Sequence, residues 1–231
     1  MSLPSNNIKE SEIIEDYRAY YSIEYGERIL QELFHNSFRT IMNVYLFRHF
    51  DDYIIQLKSD KNEDKKDIYW NASYYEKLTD YIKISIAFEN YNKAVLIKNG
   101  YLVHKIQKNK YTKDLYKLQN NGIPVKVNEF RKLCDYIFDR HRSKYYLDGL
   151  NKSLQTINYS DTLNVNYQKI IGLDTELLGR LKELNIKRNK LHFFTDFKGA
   201  FIVNSHIEKW KYIKEKSIET IECETNNYCH R

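Results

Sequence analysis

Arg188, Asn189 and His192 lie within one basic segment, Lys187-Arg188-Asn189-Lys190-Leu191-His192. Arg188 and His192 are spaced i,i+4, so on a helix a single face presents both side chains. Arginine supplies a planar, permanently charged fork that fits phosphate oxygens. Histidine takes or gives a proton near neutral pH. The pair suits cleavage of RNA by its own 2′-hydroxyl. His192 would deprotonate that hydroxyl or protonate the leaving 5′-oxygen, and Arg188 would stabilise charge on a phosphorane-like transition state. Asn189 would orient the phosphate or the imidazole, and Lys187 and Lys190 would add contacts to RNA. This chemistry requires no metal and no cofactor. The same residues also read as ordinary basic side chains meeting the dipole at a helix C-terminus.

Two other clusters carry chemistry. Lys105, Lys108, Lys110, Lys113 and Lys117 are interleaved with Tyr101, Tyr111 and Tyr116. Such a run can track an RNA backbone while its tyrosines stack on bases, or it can be a solvated loop face. Glu89 and Lys93 are spaced i,i+4 in the favourable order, as an ordinary intrahelical pair would be. His104 and His141 stand alone and read as structural. The segments GxxxxGK[ST], GxGxxG, GxSxG, HExxH and an EF-hand loop are all absent, which removes support for phosphate-loop, Rossmann, hydrolase and zinc-protease chemistry.

The chain that must position these residues has 231 amino acids, with 37 Lys+Arg against 31 Asp+Glu and a formal net charge of +6. Hydrophobic residues at 42% and charged residues at 29% fit a globular protein, not a disordered one. Only 2 Pro and 7 Gly occur, so breakers are rare and long helices are favoured. The 21 Tyr suit half-buried helix faces, with the ring packed and the hydroxyl wet. Cys134, Cys223 and Cys229 show no zinc spacing. No signal peptide and no apolar run long enough for a membrane span is visible, so the expectation is a reduced, cytoplasmic protein with no membrane role.

Helical spacing predicts helix through most of residues 8–58, with a break near Gly26 or His35-Asn36 dividing it in two. The charge run Ser59 to Asp67 reads as a solvated loop. A helix is predicted from Asn71 to Asn99, with Leu78, Ile82, Ile86, Phe88, Tyr91, Val95 and Leu96 on one broad apolar stripe and Asn99-Gly100 as its stop. Asn120 to Pro124 is a turn. A helix is predicted over about 128–154. Asn158 to Asn166 reads as irregular, with Ser160 or Asp161 available as a cap. Further helices are expected at about 175–193 and 205–223, with Phe197 to Val203 a short strand or loop between them and a fraying tail after the last.

The segment Arg188-Asn189-Lys190-Leu191-His192-Phe193-Phe194 resembles the Arg-Asn…His signature of the HEPN superfamily, the higher eukaryote and prokaryote nucleotide-binding domains. Upstream, Ala87-Phe88-Glu89-Asn90-Tyr91-Asn92-Lys93-Ala94-Val95-Leu96 before Asn99-Gly100, with His104 following, is similar to a second feature of that superfamily, and the order of the two features agrees. The resemblance covers roughly residues 70 to 200. It implies an all-α, up-and-down helical bundle, with 1–66 as an N-terminal helical elaboration, 67–204 as the HEPN-like core and 205–231 as a C-terminal helix and tail of a single domain. It also implies a homodimer that brings two Arg…His motifs into one cleft, and a place for Glu89 and Lys93 near that cleft. Many members are metal-independent endoribonucleases of toxin–antitoxin or phage-defence systems, which would add a protein antitoxin as a partner. Others only bind RNA, nucleotides or proteins. Three residues separate Arg188 from His192, against about four to six in the usual signature, a shortening that suits the non-catalytic alternative.

Overall fold

A chain with so few helix breakers folds mostly as α-helix. The computed structural model describes residues 23–46, 55, 59, 63–106, 108, 112–127, 129, 156–191 and 204–229. Among these are seven helices: α1 (Ile23–Leu46), α2 (Glu63–Lys98), α3 (Lys113–Asn120), α4 (Tyr159–Thr162), α5 (Val165–Ile171), α6 (Thr175–Leu191) and α7 (Asn204–Cys229). No helix among the described residues is long and apolar enough to cross a membrane. The predicted helix at 128–154, Glu129 excepted, and the segment 197–203 lie outside the described residues.

Several boundaries differ from the sequence expectation. Helix α1 runs unbroken through Gly26 and His35-Asn36. The reason is a continuous buried stripe, Phe34, Ser37, Ile41 and Val44, at steps of three and four residues, which leaves His35 and Asn36 as exposed positions of one helix. Helix α2 begins at Glu63, inside the charge run expected to be a loop. Glu and Lys are good helix formers, and acidic residues at a first turn meet the positive end of the helix dipole. Its 36 residues make a rod of roughly 54 Å. Helix α7 continues to Cys229, past the expected end and through most of the expected fraying tail.

Contacts group the chain into two compact units, one of residues 1–32 and 92–172, the other of residues 33–91 and 173–231. In the second unit, Tyr81, Ile84, Ala87, Phe88 and Tyr91 of α2 are buried, as are Leu177, Leu181 and Leu184 of α6 and Ile213 and Ile221 of α7. Phe34 and Phe88 each meet the Tyr91 ring edge to face, with centroids 6.1 and 5.9 Å away. Ser37 Oγ donates to the carbonyl of Ala87 at 2.8 Å, a buried bond between α1 and α2. Asp174 caps α6, accepting from the backbone N–H groups of Leu177 and Glu176, and these bonds hold its carboxyl below the usual carboxylate range. Tyr212 of α7 donates to the same carboxylate at 3.3 Å.

The first unit is built on turns. At the end of α2 the N–H of Gly100 bonds the carbonyl of Ile97 and that of Tyr101 the carbonyl of Leu96, a Schellman closure with Gly100 at φ 77°. The chain then extends through Tyr101 to Ile106. Leu102 donates to Val125 and Ile157 to Val103, so three short extended segments pair without forming a strand among the described residues. Helix α3 closes as α2 does, with Gly122 bonding Gln119 and Ile123 bonding Leu118. The stretch Asn158 to Asn166 is not irregular. Asn158 precedes α4, its N–H bonded to Asp161 three residues on, and Asn164 caps α5 by accepting from Asn166 and Tyr167. The two caps are therefore asparagines, and Asp161 acts as the reciprocal partner of the first.

Gly122 tests this arrangement. Its φ of +71° is strained for any residue with a Cβ, and a Cβ there would sit 2.6 Å from Asn164 Nδ2. Gly122→Ala is expected to cost about 1–2 kcal/mol or more, and Asn164→Ala about 1 kcal/mol through the lost cap. Because Asn164→Ala also removes the clashing atom, the double variant is expected to lose less than the sum. Urea midpoints of the four proteins measure this, and strict additivity would contradict the described contact.

Candidate functional site

Arg188 lies near the end of α6, on the line continued from the buried Leu177, Leu181 and Leu184. That position brings it to α2. Its Nη1 lies 4.0 Å from Glu89 Oε2, and each side chain is 27% exposed. The α2 and α6 segments thus meet through a partly sheltered ion pair. The side chains of Lys187, Asn189 and Lys190 lie outside the described residues, although their backbone is helical, and His192 lies outside them entirely.

Glu89 and Lys93 are one turn apart on α2. Glu89 faces Arg188, whereas Lys93 Nζ donates to Thr156 Oγ1 at 2.8 Å. Lys93 is buried at 8% exposure, and close to it is His104, at 4%. Burial, reinforced by the positive charge of Lys93, lowers the His104 imidazole from its ordinary 6.5 to about 4. His104 is therefore neutral at pH 7. Sequence reading set it aside as a lone structural histidine. Nothing in its local pattern marks the burial, and its backbone pairs with that of Thr156, far along the chain.

Of the lysine run, Lys108 is exposed and Lys110 lies outside the described residues. Lys105 is the informative member. Its Nζ donates to Asn158 Oδ1 at 2.9 Å, at the edge of a cleft of about 540 Å³. Tyr116, Gln119, Asn120, Asn158 and Asn164 also line that cleft. Gln119 is held at both ends: its Oε1 accepts from the Ile106 N–H at 2.7 Å, and its Nε2 donates to the His104 carbonyl at 2.7 Å. Asn164 and Asn166 both donate to the Gly122 carbonyl, at 3.4 and 3.2 Å. Tyr167 forms part of the wall, its hydroxyl pushed up to about 12 by burial and by the charge of Asp161. The asparagines were legible only as turn formers. Their convergence depends on contacts between residues more than forty positions apart, such as the 44 between Asn166 and Gly122.

Among the described residues, no group of three or more His, Cys, Asp or Glu side chains is placed to hold a metal ion. No protein-family model, curated protein or solved structure matches this chain.

The buried imidazole has a measurable consequence. Below pH 6.5 the unfolded chain takes up a proton that the folded chain refuses until about pH 4, so stability falls across that window as pH drops. The full loss is on the order of 3 kcal/mol, each pKa unit being worth about 1.4. His104→Leu has no proton to take up. Its unfolding free energy is expected to fall less than that of the wild type between pH 7 and pH 4.5, and equal falls would show that His104 is not held neutral.

Proposed function

We propose that this protein is an HEPN-type RNA-binding protein, an up-and-down helical bundle acting as a metal-independent endoribonuclease. The observation that carries the reading is the approach of Arg188 to Glu89. It joins the two segments that resemble the superfamily signature, which lie about a hundred residues apart in the chain.

In this reading Arg188 clamps the scissile phosphate with its guanidinium fork, and Glu89 aims that fork. His192 removes the proton from the 2′-hydroxyl or supplies one to the departing 5′-oxygen. The 2′-oxygen forms a bond to phosphorus as the phosphorus–5′-oxygen bond breaks, leaving a 2′,3′-cyclic phosphate and a 5′-hydroxyl. Asn189 orients the phosphate or the imidazole, and Lys187 and Lys190 draw the strand in. A homodimer would set two such motifs around one cleft. A toxin or phage-defence setting, with a neutralising protein antitoxin, belongs to the same proposal, as does a cytoplasmic location.

A second reading has its own support. The Glu89 carboxylate offsets the charge of Arg188, and a phosphate arriving there meets that carboxylate. Together with the short Arg188–His192 spacing, this favours a module that holds RNA, a nucleotide or a protein without cutting.

RNA incubated with the protein in EDTA separates the two. The nuclease reading expects 2′,3′-cyclic phosphate ends, a fall of about 10²–10⁴ for His192→Ala and about 10²–10³ for Arg188→Ala. RNA retention with no cleavage, weakened by salt and by Arg188→Ala, supports the binding module. Cleavage that survives both substitutions would sink the catalytic assignment.

A further inference from the structure

The dipeptide Asn-Gly occurs twice in the sequence, as Asn99-Gly100 and as Asn121-Gly122. It carries a reaction of its own, because a glycine, with no Cβ, lets its backbone nitrogen approach the preceding carboxamide closely. The glycine nitrogen, its proton taken by hydroxide, forms a bond to the asparagine Cγ. The bond from Cγ to the side-chain nitrogen breaks, and ammonia leaves with a proton from water. Water then opens the cyclic succinimide at either carbonyl, leaving an aspartate or an isoaspartate. Water is the only co-reactant.

Both dipeptides lie at the C-terminal turn of a helix, and the turn opposes the reaction in the same way. Asn121 has φ −86° and ψ 12°, which turns the Gly122 nitrogen away from the side-chain carbonyl. The Gly122 N–H is also bonded to the Gln119 carbonyl at 3.0 Å, as that of Gly100 is to the Ile97 carbonyl at 2.9 Å. Attack therefore requires the turn to open by rotation about the asparagine Cα–C bond, and its rate follows the free energy of that local opening.

The two turns differ in what holds them shut. At the end of α2, Val95 and Leu96 are buried, and the Asn99 carboxamide donates to the Val95 carbonyl at 2.8 Å. Helix α3 has eight residues and buries none of them. Asn121 is exposed, and among the described residues its carboxamide has no hydrogen-bond partner. What ties α3 to the extended segment before it is the Gln119 side chain, bonded to His104 and Ile106.

We propose that Asn121 is a site of spontaneous deamidation in the folded protein, and that Asn99 is protected from it. The product alters the fold locally. A carboxylate at the end of α3 meets the negative end of the helix dipole, and an isoaspartate adds a methylene to the backbone within the turn. The disturbance is passed to α5, since the Gly122 carbonyl holds Asn164 and Asn166. It also adds a negative charge to the lining of the cleft beside Lys105.

The test is incubation of the full-length protein in mildly alkaline heavy-oxygen water, then digestion in ordinary water and mass spectrometry of the peptides. Hydrolysis of a succinimide incorporates the heavy oxygen. Labelling at position 121 is expected to be on the order of tenfold faster than at position 99. In urea, where both turns are open, the two positions should label at similar rates. Asn121→Gln gives the background, because its longer side chain would have to close a larger ring. Gln119→Ala removes the tie of α3 and is expected to speed labelling at position 121 several-fold in the folded protein. It should leave position 99, and both rates in urea, unchanged. Should that variant lack wild-type helix content, the wild type compared in and out of urea decides alone. Three results would each overturn the proposal: position 99 labelling as fast as 121 in the folded protein, neither labelling over a period that converts both in urea, or the same ratio with and without urea. RNA does not enter the readout, so the outcome is separate from that of the nuclease assay.

Discussion

Helix α2 must bury a stripe along its described length, and much of what each neighbouring residue can do follows from which stripe that is. Tyr81, Ile84, Phe88, Tyr91 and Val95 advance by alternating steps of three and four and are all buried. Ile82 and Ile86, expected on the apolar face, are 40% and 41% exposed. Around the helix Ile82 lies about 100° and Ile86 about 140° from Tyr81, both on the side away from the stripe, and a helix has no means of turning one residue inward without turning the rest. The same geometry places Glu89 at the flank of the stripe, half-buried, where it meets Arg188. It places Asn92 inside, where Nδ2 donates to Thr162 Oγ1 at 2.9 Å.

The second recurring device is helix termination by asparagine and glycine. Asn99-Gly100 and Asn121-Gly122 each close a helix with the paired backbone bonds of a Schellman turn, and Asn158 and Asn164 open the two short helices that follow. These residues satisfy backbone groups that a helix end leaves without partners. They also do more than terminate. Asn164 reaches back to Gly122, and Asn158 accepts from Lys105, so the capping residues of α4 and α5 become the wall of a cleft that α3 helps to form.

Electrostatic character in this protein comes from shelter more than from the net charge of +6. Arg188 acquires a carboxylate neighbour, Lys93 a threonine hydroxyl, and His104 a dry environment that keeps it neutral. Tyr81 and Tyr91 are pushed well above the usual phenol range by burial. Each shift arises from a group losing water, which a count of charges cannot register.

The sequence by itself determined the helical class, the stop at Asn99-Gly100, the turn at Asn121-Gly122 and the presence of helix α6. All of these follow from interactions within a few residues: periodicity, the scarcity of proline and glycine, and the freedom of glycine at positive φ. It also marked Arg188 and Glu89 separately as residues of interest. Their approach, the exposure of Ile82 and Ile86, the unbroken course of α1 past His35-Asn36, the burial of His104 and the cleft beside Lys105 were decided by tertiary structure. In each case the deciding partner lies far away in the chain, as Thr162 does from Asn92 at a separation of 70, and local pattern carries no record of such a partner.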